Sequence, residues 1–342
     1  MTTDRFARVL MTAWMTRGWL AWLLWPLSVL FGLLLIVRQF FYRQGWLQKK
    51  KLAVPVIVVG NIFVGGTGKT PLTIWLLRQL QQAGYRPGVI SRGYGSKNQP
   101  PQMVSERSLA IDVGDEPILI AQQSACPVVV GRNRVAAGET LLNNCPEVNV
   151  IISDDGLQHY GLARDLEIML FDKRGVGNGW LLPAGPLREP AGRRSDITVA
   201  NLNQGENIAP ALPSDTVRMQ LLGNTARQMM HPDQQQKLNA LDSRLNIIAA
   251  AGIGNPERFF TMLRNQGVKF AELPLPDHFN YAINPFEHIT ADMILITEKD
   301  AVKCRQLKDL SGDPRIWVIP VEAVIDSGMF DTILKKLKQI RE

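Results

Sequence analysis

Cysteine is scarce in this chain of 342 residues: there are three, Cys126, Cys145 and Cys304, and no C-x-x-C pair. That spacing excludes a disulfide framework and a cysteine-based zinc site, and it reads the thiols as small buried hydrophobes in a reducing compartment. Internal repeats and low-complexity tracts are lacking too, which excludes a repeat array. Excess charge is missing from most of the chain. Of 38 basic and 31 acidic residues, eight basic and one acidic fall within residues 1–51, which leaves thirty of each sign for the rest. The high isoelectric point therefore says nothing about nucleic acid, and no nucleic-acid partner is expected.

What the first 51 residues do have is a long apolar run. Gly18 to Val37 holds 20 residues without a charge, bracketed by Arg17 and Arg38. About 20 residues suffice to cross the hydrocarbon core. Trp19, Trp22, Trp25, Phe40, Tyr42 and Trp46 cluster near its ends, as aromatic rings do at membrane interfaces. The run is too long for a signal-peptide core, and no small-residue cleavage site follows. A helix lying in the interface is the rival to a spanning one, supported by Pro26 inside the run and by apolar Phe6, Val9, Leu10 and Trp14 before it. The basic collar favours anionic lipids, and Lys49–Lys51 put the following domain on the cytoplasmic side of a membrane.

The most specific local pattern follows directly. A β-rich apolar run, Val54–Val59, leads into glycines 65, 66 and 68, then Lys69-Thr70 and an amphipathic helix with Leu72, Trp75, Leu76, Leu80 and Ala83 on one face. This is the order of a phosphate-binding loop. Glycines remove Cβ atoms where backbone N–H groups must close around phosphate oxygens. Lys69 supplies a point charge for the β- and γ-phosphates, and the Thr70 hydroxyl a ligand for Mg²⁺. The strict motif wants glycine at position 63, where this chain has Phe63; the core GGTGKT fits the variant loops.

Candidate strands at 86–91, 128–130, 148–152, 167–171 and 197–200 alternate with helices. They predict an α/β fold with a parallel sheet in residues 52–200. Residues 201–244, polar and proline-containing, read as a connector, and residues 245–342 as a smaller C-terminal α/β lobe. A cleft between the lobes is the expected ligand site. Asp154 and Asp155 end an apolar run, where a parallel strand delivers carboxylates beside the phosphate loop, so they are candidate metal ligands; a solvated Asp-Gly turn is the alternative. Gln158 and His159 reach toward the same space. On spacing alone, Gly114-Asp115-Glu116-Pro117 and Asp277-His278 stay loops. The guanine signature [NT]-K-x-D fails at Thr297-Glu298-Lys299-Asp300, which favours ATP over GTP.

Taken together, GNIFVGGTGKTP (60–71), SRGYG (91–95), GDEP (114–117), GRNR (131–134), DDGLQH (154–159), PAGPLREP (183–190), AGIGNPERFF (251–260), PDHF (276–279) and TEKDAVK (297–303) resemble the tetraacyldisaccharide 4′-kinase family of Gram-negative bacteria. The resemblance implies a P-loop-type core with a smaller lobe. It also implies transfer of the ATP γ-phosphate to the 4′-hydroxyl of a tetraacylated glucosamine disaccharide 1-phosphate at the cytoplasmic face of the inner membrane. That membrane's lipids and the lipid-linked disaccharide would be the partners, and ATP and Mg²⁺ the cofactors.

Site roles follow from the same resemblance. Gly65, Gly66, Thr67, Gly68, Lys69 and Thr70 would hold the phosphates, and Thr70 with Asp154 or Asp155 the Mg²⁺. Asp115 would be the general base, paired with His278 when the lobes close. Glu116, Arg134, His159 and Glu189 would assist, and Arg92 and Tyr94 would touch substrate.

Two rivals come from other classes. A membrane-tethered assembly or partitioning ATPase usually carries a second lysine before the glycines, where this chain has Val64. A non-enzymatic, nucleotide-gated membrane adaptor would bind ATP without turning it over.

Overall fold

The computed structural model describes residues 10–93, 100–326 and 328–341. The apolar strand segments assemble into two sheets. The larger has nine strands. In spatial order they are β15 (Glu322–Ile325), β8 (Val217–Leu222), β7 (Ile197–Asn201), β6 (Leu166–Asp172), β1 (Val56–Gly60), β5 (Val150–Asp154), β2 (Pro87–Ser91), β4 (Val128–Val130) and β3 (Gln102–Met103). All neighbours are parallel except β15 against β8 and β3 against β4. The central strands are buried on both faces, which is why β1 and β5 read as unbroken apolar runs rather than alternating ones.

The smaller sheet has six strands, ordered β10 (Gln235–Lys237), β9 (Thr225–Gln228), β14 (Ile316–Ile319), β13 (Met293–Thr297), β11 (Ile247–Ala251) and β12 (Ala271–Pro274). Its four strands β11–β14 are parallel, and β9 runs antiparallel to β14.

Seven helices matter here: α1 (Trp19–Arg43), α2 (Lys69–Gln82), α3 (Asp115–Ser124), α4 (Arg134–Asn144), α5 (Pro256–Asn265), α6 (Glu298–Cys304) and α7 (Gly328–Arg341). The α2 face carrying Leu72, Leu76 and Leu80 packs into the core of the larger sheet with Ile57, Val89 and Ile152.

Three expectations change. Residues 201–244 are not a connector. Their strand β8 extends the larger sheet beside β7, while β9 and β10 belong to the smaller one. Arg218 and Gln220 interrupt the apolar pattern of β8, which is half-buried near a sheet edge.

The C-terminal lobe also does not run to residue 342. After β14 the chain returns to the larger sheet as β15, and α7 buries Met329, Ile333 and Leu337 in the larger core. Phe330 meets Trp75 of α2 edge-on, ring centroids 6.2 Å apart. An amphipathic pattern announces an apolar face but not the core that receives it. The backbone therefore passes between the sheets twice, at residues 223–224 and 320–321.

The third change concerns Gly114 to Pro117, expected as a loop. Gly114 is instead the N-cap of α3, and Asp115 and Glu116 occupy its first turn, where the helix dipole favours carboxylates.

The apolar N-terminal run is one helix, and it continues to Arg43. Among the described residues it is the one helix long and apolar enough to cross a membrane. It lies against the body along its length of about 37 Å. Trp22 packs on Trp180 at 4.8 Å, Ser28 Oγ donates to the Leu181 carbonyl (2.8 Å), and Gln39 donates to Tyr160 (3.0 Å). Ala21, Ser28 and Leu35 form the buried stripe, while Trp19, Leu23, Leu27, Leu30, Leu34 and Ile36 are exposed.

Candidate active site

The phosphate loop connects the buried strand β1 to α2. Gly65 and Gly68 take φ of +104° and +99°, and Gly68 caps α2 without any side-chain acceptor. The first N–H groups of α2 thus form an anion-binding end. A side chain at Gly68 is excluded twice: by φ, and by the Asn201 amide, which donates to the Thr67 carbonyl at 2.8 Å.

Two cations converge beside the loop. Lys69 Nζ donates to Asn61 Oδ1 (3.3 Å) and lies 3.6 Å from Asp155. Arg188 donates to the Asn61 carbonyl (2.9 Å) and to both Asp155 oxygens (3.2 and 3.3 Å).

The adjacent carboxylates of Asp154 and Asp155 have opposite environments. Asp154 ends β5 fully buried, with Ser91 Oγ 3.3 Å from its Oδ2. Burial and then the negative charge of Glu116 push its carboxyl up to about 7. Asp155 turns out of the strand at φ +49°. Burial opposes its charge too, but Lys69 and Arg188 prevail and hold it down at about 2.

Asp154 Oδ1 is buried with no hydrogen-bond partner, and the buried Thr70 lines the same cleft as Lys69. No group of three or more His, Cys, Asp or Glu able to hold a metal occurs among the described residues. One unsatisfied carboxylate oxygen and a hydroxyl beside a phosphate loop suit Mg²⁺, which binds through one or two carboxylates, phosphate and water. Arg134 is almost fully buried and donates to the Gly131 and Asp154 carbonyls (2.8 and 3.2 Å). It therefore fixes the backbone that carries the acids.

Across the cleft the smaller lobe supplies a second cluster. His278 sits in the loop after β12 at φ +55°, its N–H bonded to the Gly252 carbonyl. Its Nδ1 is 3.3 Å from Asp115 Oδ2, and Lys303 Nζ of α6 is 3.2 Å from the same oxygen. Asp115 Oδ1 accepts the Glu116 N–H at 2.9 Å. Burial raises the Asp115 carboxyl. The hydrogen bond to His278 and the charges of Lys299 and Lys303 outweigh it and hold the group far below the usual carboxylate range. The same hydrogen bond raises His278, against its burial. Lys299 joins Glu116 at 2.5 Å, a second tie between the lobes. A third is steric, since a Cβ on Gly254 would lie 2.8 Å from the Gly66 nitrogen.

The phosphate loop, Glu116 and Lys299 line a cleft of about 150 Å³, whose lining also includes apolar Ile253, Phe259 and Met262.

The remaining expected residues are spread out. His159 is half-buried; burial and then the Arg134 and Arg164 charges push its imidazole down to about 4, so it is neutral at physiological pH. Glu189 has no exposed surface and accepts the Tyr160 hydroxyl at 2.6 and 2.7 Å. Arg92 is exposed, and Tyr94 lies outside the described residues. Asn61, Arg188, Lys299 and Lys303 join the site only through the tertiary structure. Arg188 and the two lysines lie inside the segments PAGPLREP and TEKDAVK, which were the available signal.

A phosphate loop on a parallel sheet, buried acids at the ends of its strands and an acid–imidazole pair closing the cleft define a P-loop phosphotransferase. The family model of tetraacyldisaccharide-1-P 4′-kinase matches residues 20–339. The chain is 57% identical to a tetraacyldisaccharide 4′-kinase of Janthinobacterium sp. (strain Marseille), over 95% of this chain and 94% of that one. It is 55% identical to the one from Herminiimonas arsenicoxydans, over 95% and 94%. A crystal structure of LpxK from Aquifex aeolicus in complex with ATP superposes with a TM-score of 0.75 at 31% identity, over 93% of this chain and 99% of that one. The chain belongs to the tetraacyldisaccharide-1-P 4′-kinase family, and it is a kinase.

Proposed function

We propose that this chain transfers the γ-phosphate of ATP to the 4′-hydroxyl of a tetraacylated glucosamine disaccharide 1-phosphate, giving the bis-phosphorylated lipid A precursor. The observation that carries the reading is the shared cleft of the phosphate loop with Glu116 and Lys299, next to which Asp115 pairs with His278. The loop amides from Gly65 to Thr70 and the Lys69 ammonium bind the β- and γ-phosphates, and the apolar wall at Phe259 and Met262 receives the nucleoside. Thr70 and Asp154 would hold Mg²⁺, which when bound neutralises charge on the phosphate oxygens.

Asp115 accepts the hydroxyl proton as the O4′–P bond forms and the bridging P–O bond to ADP breaks. Its low basicity suits a loose transition state, in which the nucleophile loses its proton late and orientation matters more than base strength. Its Oδ1 is fixed by the Glu116 N–H, and its Oδ2 by His278 and Lys303. The proton then leaves through His278 to solvent. Arg134 positions Asp154 through its backbone carbonyl, and His159 and Arg92 would help to hold the acceptor.

The lipid acceptor and the inner membrane, cytoplasmic face inward, explain the apolar outer stripe of α1. Docking over its whole length, with Gln39 bonded to Tyr160 on the polar body, favours a helix lying in the interface. A spanning helix would carry those polar contacts into hydrocarbon.

The test is transfer of label from γ-labelled ATP, with Mg²⁺, to the purified 1-phosphorylated acceptor in detergent. Labelled lipid supports the reading. Free phosphate with unlabelled lipid overturns it in favour of an ATPase.

A further inference from the structure

Three successive carbonyls of the phosphate loop are each held by a side chain. Asn61 Nδ2 donates to the Gly65 carbonyl (3.2 Å), Arg174 to that of Gly66 (3.2 Å) and Asn201 Nδ2 to that of Thr67 (2.8 Å). A trans peptide is planar, with its C=O and the following N–H on opposite sides. Anchoring these carbonyls therefore aims the N–H groups of Gly66, Thr67 and Gly68 the other way. Those three residues line the cleft, and their three anchors stand outside it.

Two of the anchors are amides, and each has a cation on its oxygen. Asn61 Oδ1 accepts from Lys69 Nζ (3.3 Å) and from the Arg188 guanidinium. Asn201 Oδ1 accepts from the Arg258 guanidinium. A guanidinium only donates, so it faces the amide oxygen and leaves the amide nitrogen for the loop. It thereby fixes which way the amide points. It also polarises the amide, which strengthens the N–H···O bond on the far side.

The two cation sources differ. Lys69 and Arg188 lie on the same side of the cleft as Asn61. Asn201 is buried at the end of β7 in the larger sheet, whereas Arg258 stands on α5 of the smaller lobe. Burial lowers the Arg258 guanidinium to about 10, against the pull of Asp172 and Glu206, so it stays charged at neutral pH. Arg258 also lines the cleft, which makes direct contact with the nucleotide the rival role.

We infer that Arg258 is a positioning residue supplied by the smaller lobe, holding the Asn201 amide that turns the Gly68 N–H toward the nucleotide phosphates. The inference rests on the kinase reading above, which puts the β- and γ-phosphates in the loop. Phosphate affinity is then shared between the lobes. Moving α5 away from β7 frees the amide, and with it the last peptide of the loop.

The experiment is calorimetric titration of the full chain in detergent with ATP and Mg²⁺ and, separately, with AMP, which lacks the β- and γ-phosphates. It compares the wild type with Arg258→Met, Asn201→Ala, the double variant and Asn201→Asp. Arg258→Met and Asn201→Ala are each expected to raise the Kd for ATP about tenfold, the scale of one charge-assisted hydrogen bond. The AMP value stays put. The double variant loses no more than either single one, because both break the same chain of contacts. Asn201→Asp keeps its contact with Arg258 as an ion pair but has no N–H for Thr67. It is expected to hold thermal stability and still lose ATP affinity, which a merely structural contact between lobes would not do.

Losses that add in the double variant overturn the proposal, since Arg258 then acts on the nucleotide independently of Asn201. Wild-type ATP affinity in Arg258→Met overturns it as well, and so does an equal loss for AMP. If the alanine or methionine variants do not fold, Asn201→Asp decides alone, and ordinary ATP affinity in it overturns the proposal. The titrations need no lipid. A wild type that binds ATP but phosphorylates no acceptor therefore removes the kinase reading and leaves the affinities to decide this one.

Discussion

His278 Nδ1 lies 3.3 Å from Asp115 Oδ2, although 163 residues separate them and each belongs to a different lobe. The contact brings the first residue of α3 against a loop of the smaller sheet. Under the proposed role of Asp115, separating the lobes would break this pair and halt transfer.

Asp115→Asn keeps the shape and removes the proton acceptor. We expect kcat to fall by about 10²–10⁴, the usual scale of general-base loss, while ATP affinity holds. Single-turnover transfer and nucleotide titration check this, and near-normal turnover would remove Asp115 from the base role.

The same pair gives a pH signature. The folded pKa of His278 is raised above its ordinary 6.5, chiefly by the Asp115 hydrogen bond. Its contribution to stability is fully present below about pH 6.5 and is lost as pH rises through the folded value. Asp115 is depressed below 3.8 despite its burial, so its own contribution persists above that value and is lost as pH falls through the folded one. In an NMR titration of the His278 ring, Asp115→Asn should lower the midpoint; an unchanged midpoint would show that the pair is not formed in solution.

Lys299→Met severs one tie between the lobes and leaves Glu116 without its 2.5 Å partner. Both side chains are about a quarter exposed, so the expected cost is modest, about 1–3 kcal/mol. The loss should appear in thermal unfolding and as a raised KM for ATP. A double variant Glu116→Gln/Lys299→Met that recovers the stability would identify the uncompensated charge as the cause.

Gly68→Ala should be far worse than its size suggests. The φ of +99° strains any side chain, and the new methyl group would run into the Asn201 amide that braces the Thr67 carbonyl. We expect about 1–3 kcal/mol of strain and loss of ATP binding, read by denaturant unfolding and calorimetry. Ordinary ATP affinity in this variant would show that the loop has room to move.

Asp154→Asn replaces the buried oxygen that lacks a donor. The Mg²⁺ concentration for half-maximal transfer should rise by about 10–100-fold, as for lost metal-site contacts, and a chelator should abolish turnover of the wild type. Unchanged Mg²⁺ dependence would move the metal role to Asp155.

The sequence by itself determined the parts whose cause is local. Glycines at 65, 66 and 68 followed by Lys69-Thr70 specify an anion-binding turn because only residues without Cβ fit it. Unbroken apolar runs at β1 and β5 specify buried parallel strands, and such a strand necessarily delivers its last residue, Asp154, to the edge where the loop begins. The uncharged run from Gly18 to Val37 specifies a lipid-compatible helix.

Tertiary structure alone decided which distant groups share a volume. No periodicity says that Lys299 and Lys303 reach Glu116 and Asp115, that α7 returns to the larger core, or that Arg38, Arg164 and Arg193 gather around the Tyr160 ring. Each rests on packing between elements far apart in the chain, where an apolar face finds a complementary surface and carries its charged neighbours with it. A failed guanine motif at 297–300 thereby becomes the lobe contact, and two adjacent aspartates with equal local signals acquire opposite charge preferences. Burial and partners, rather than residue type, set the free energy of a charge.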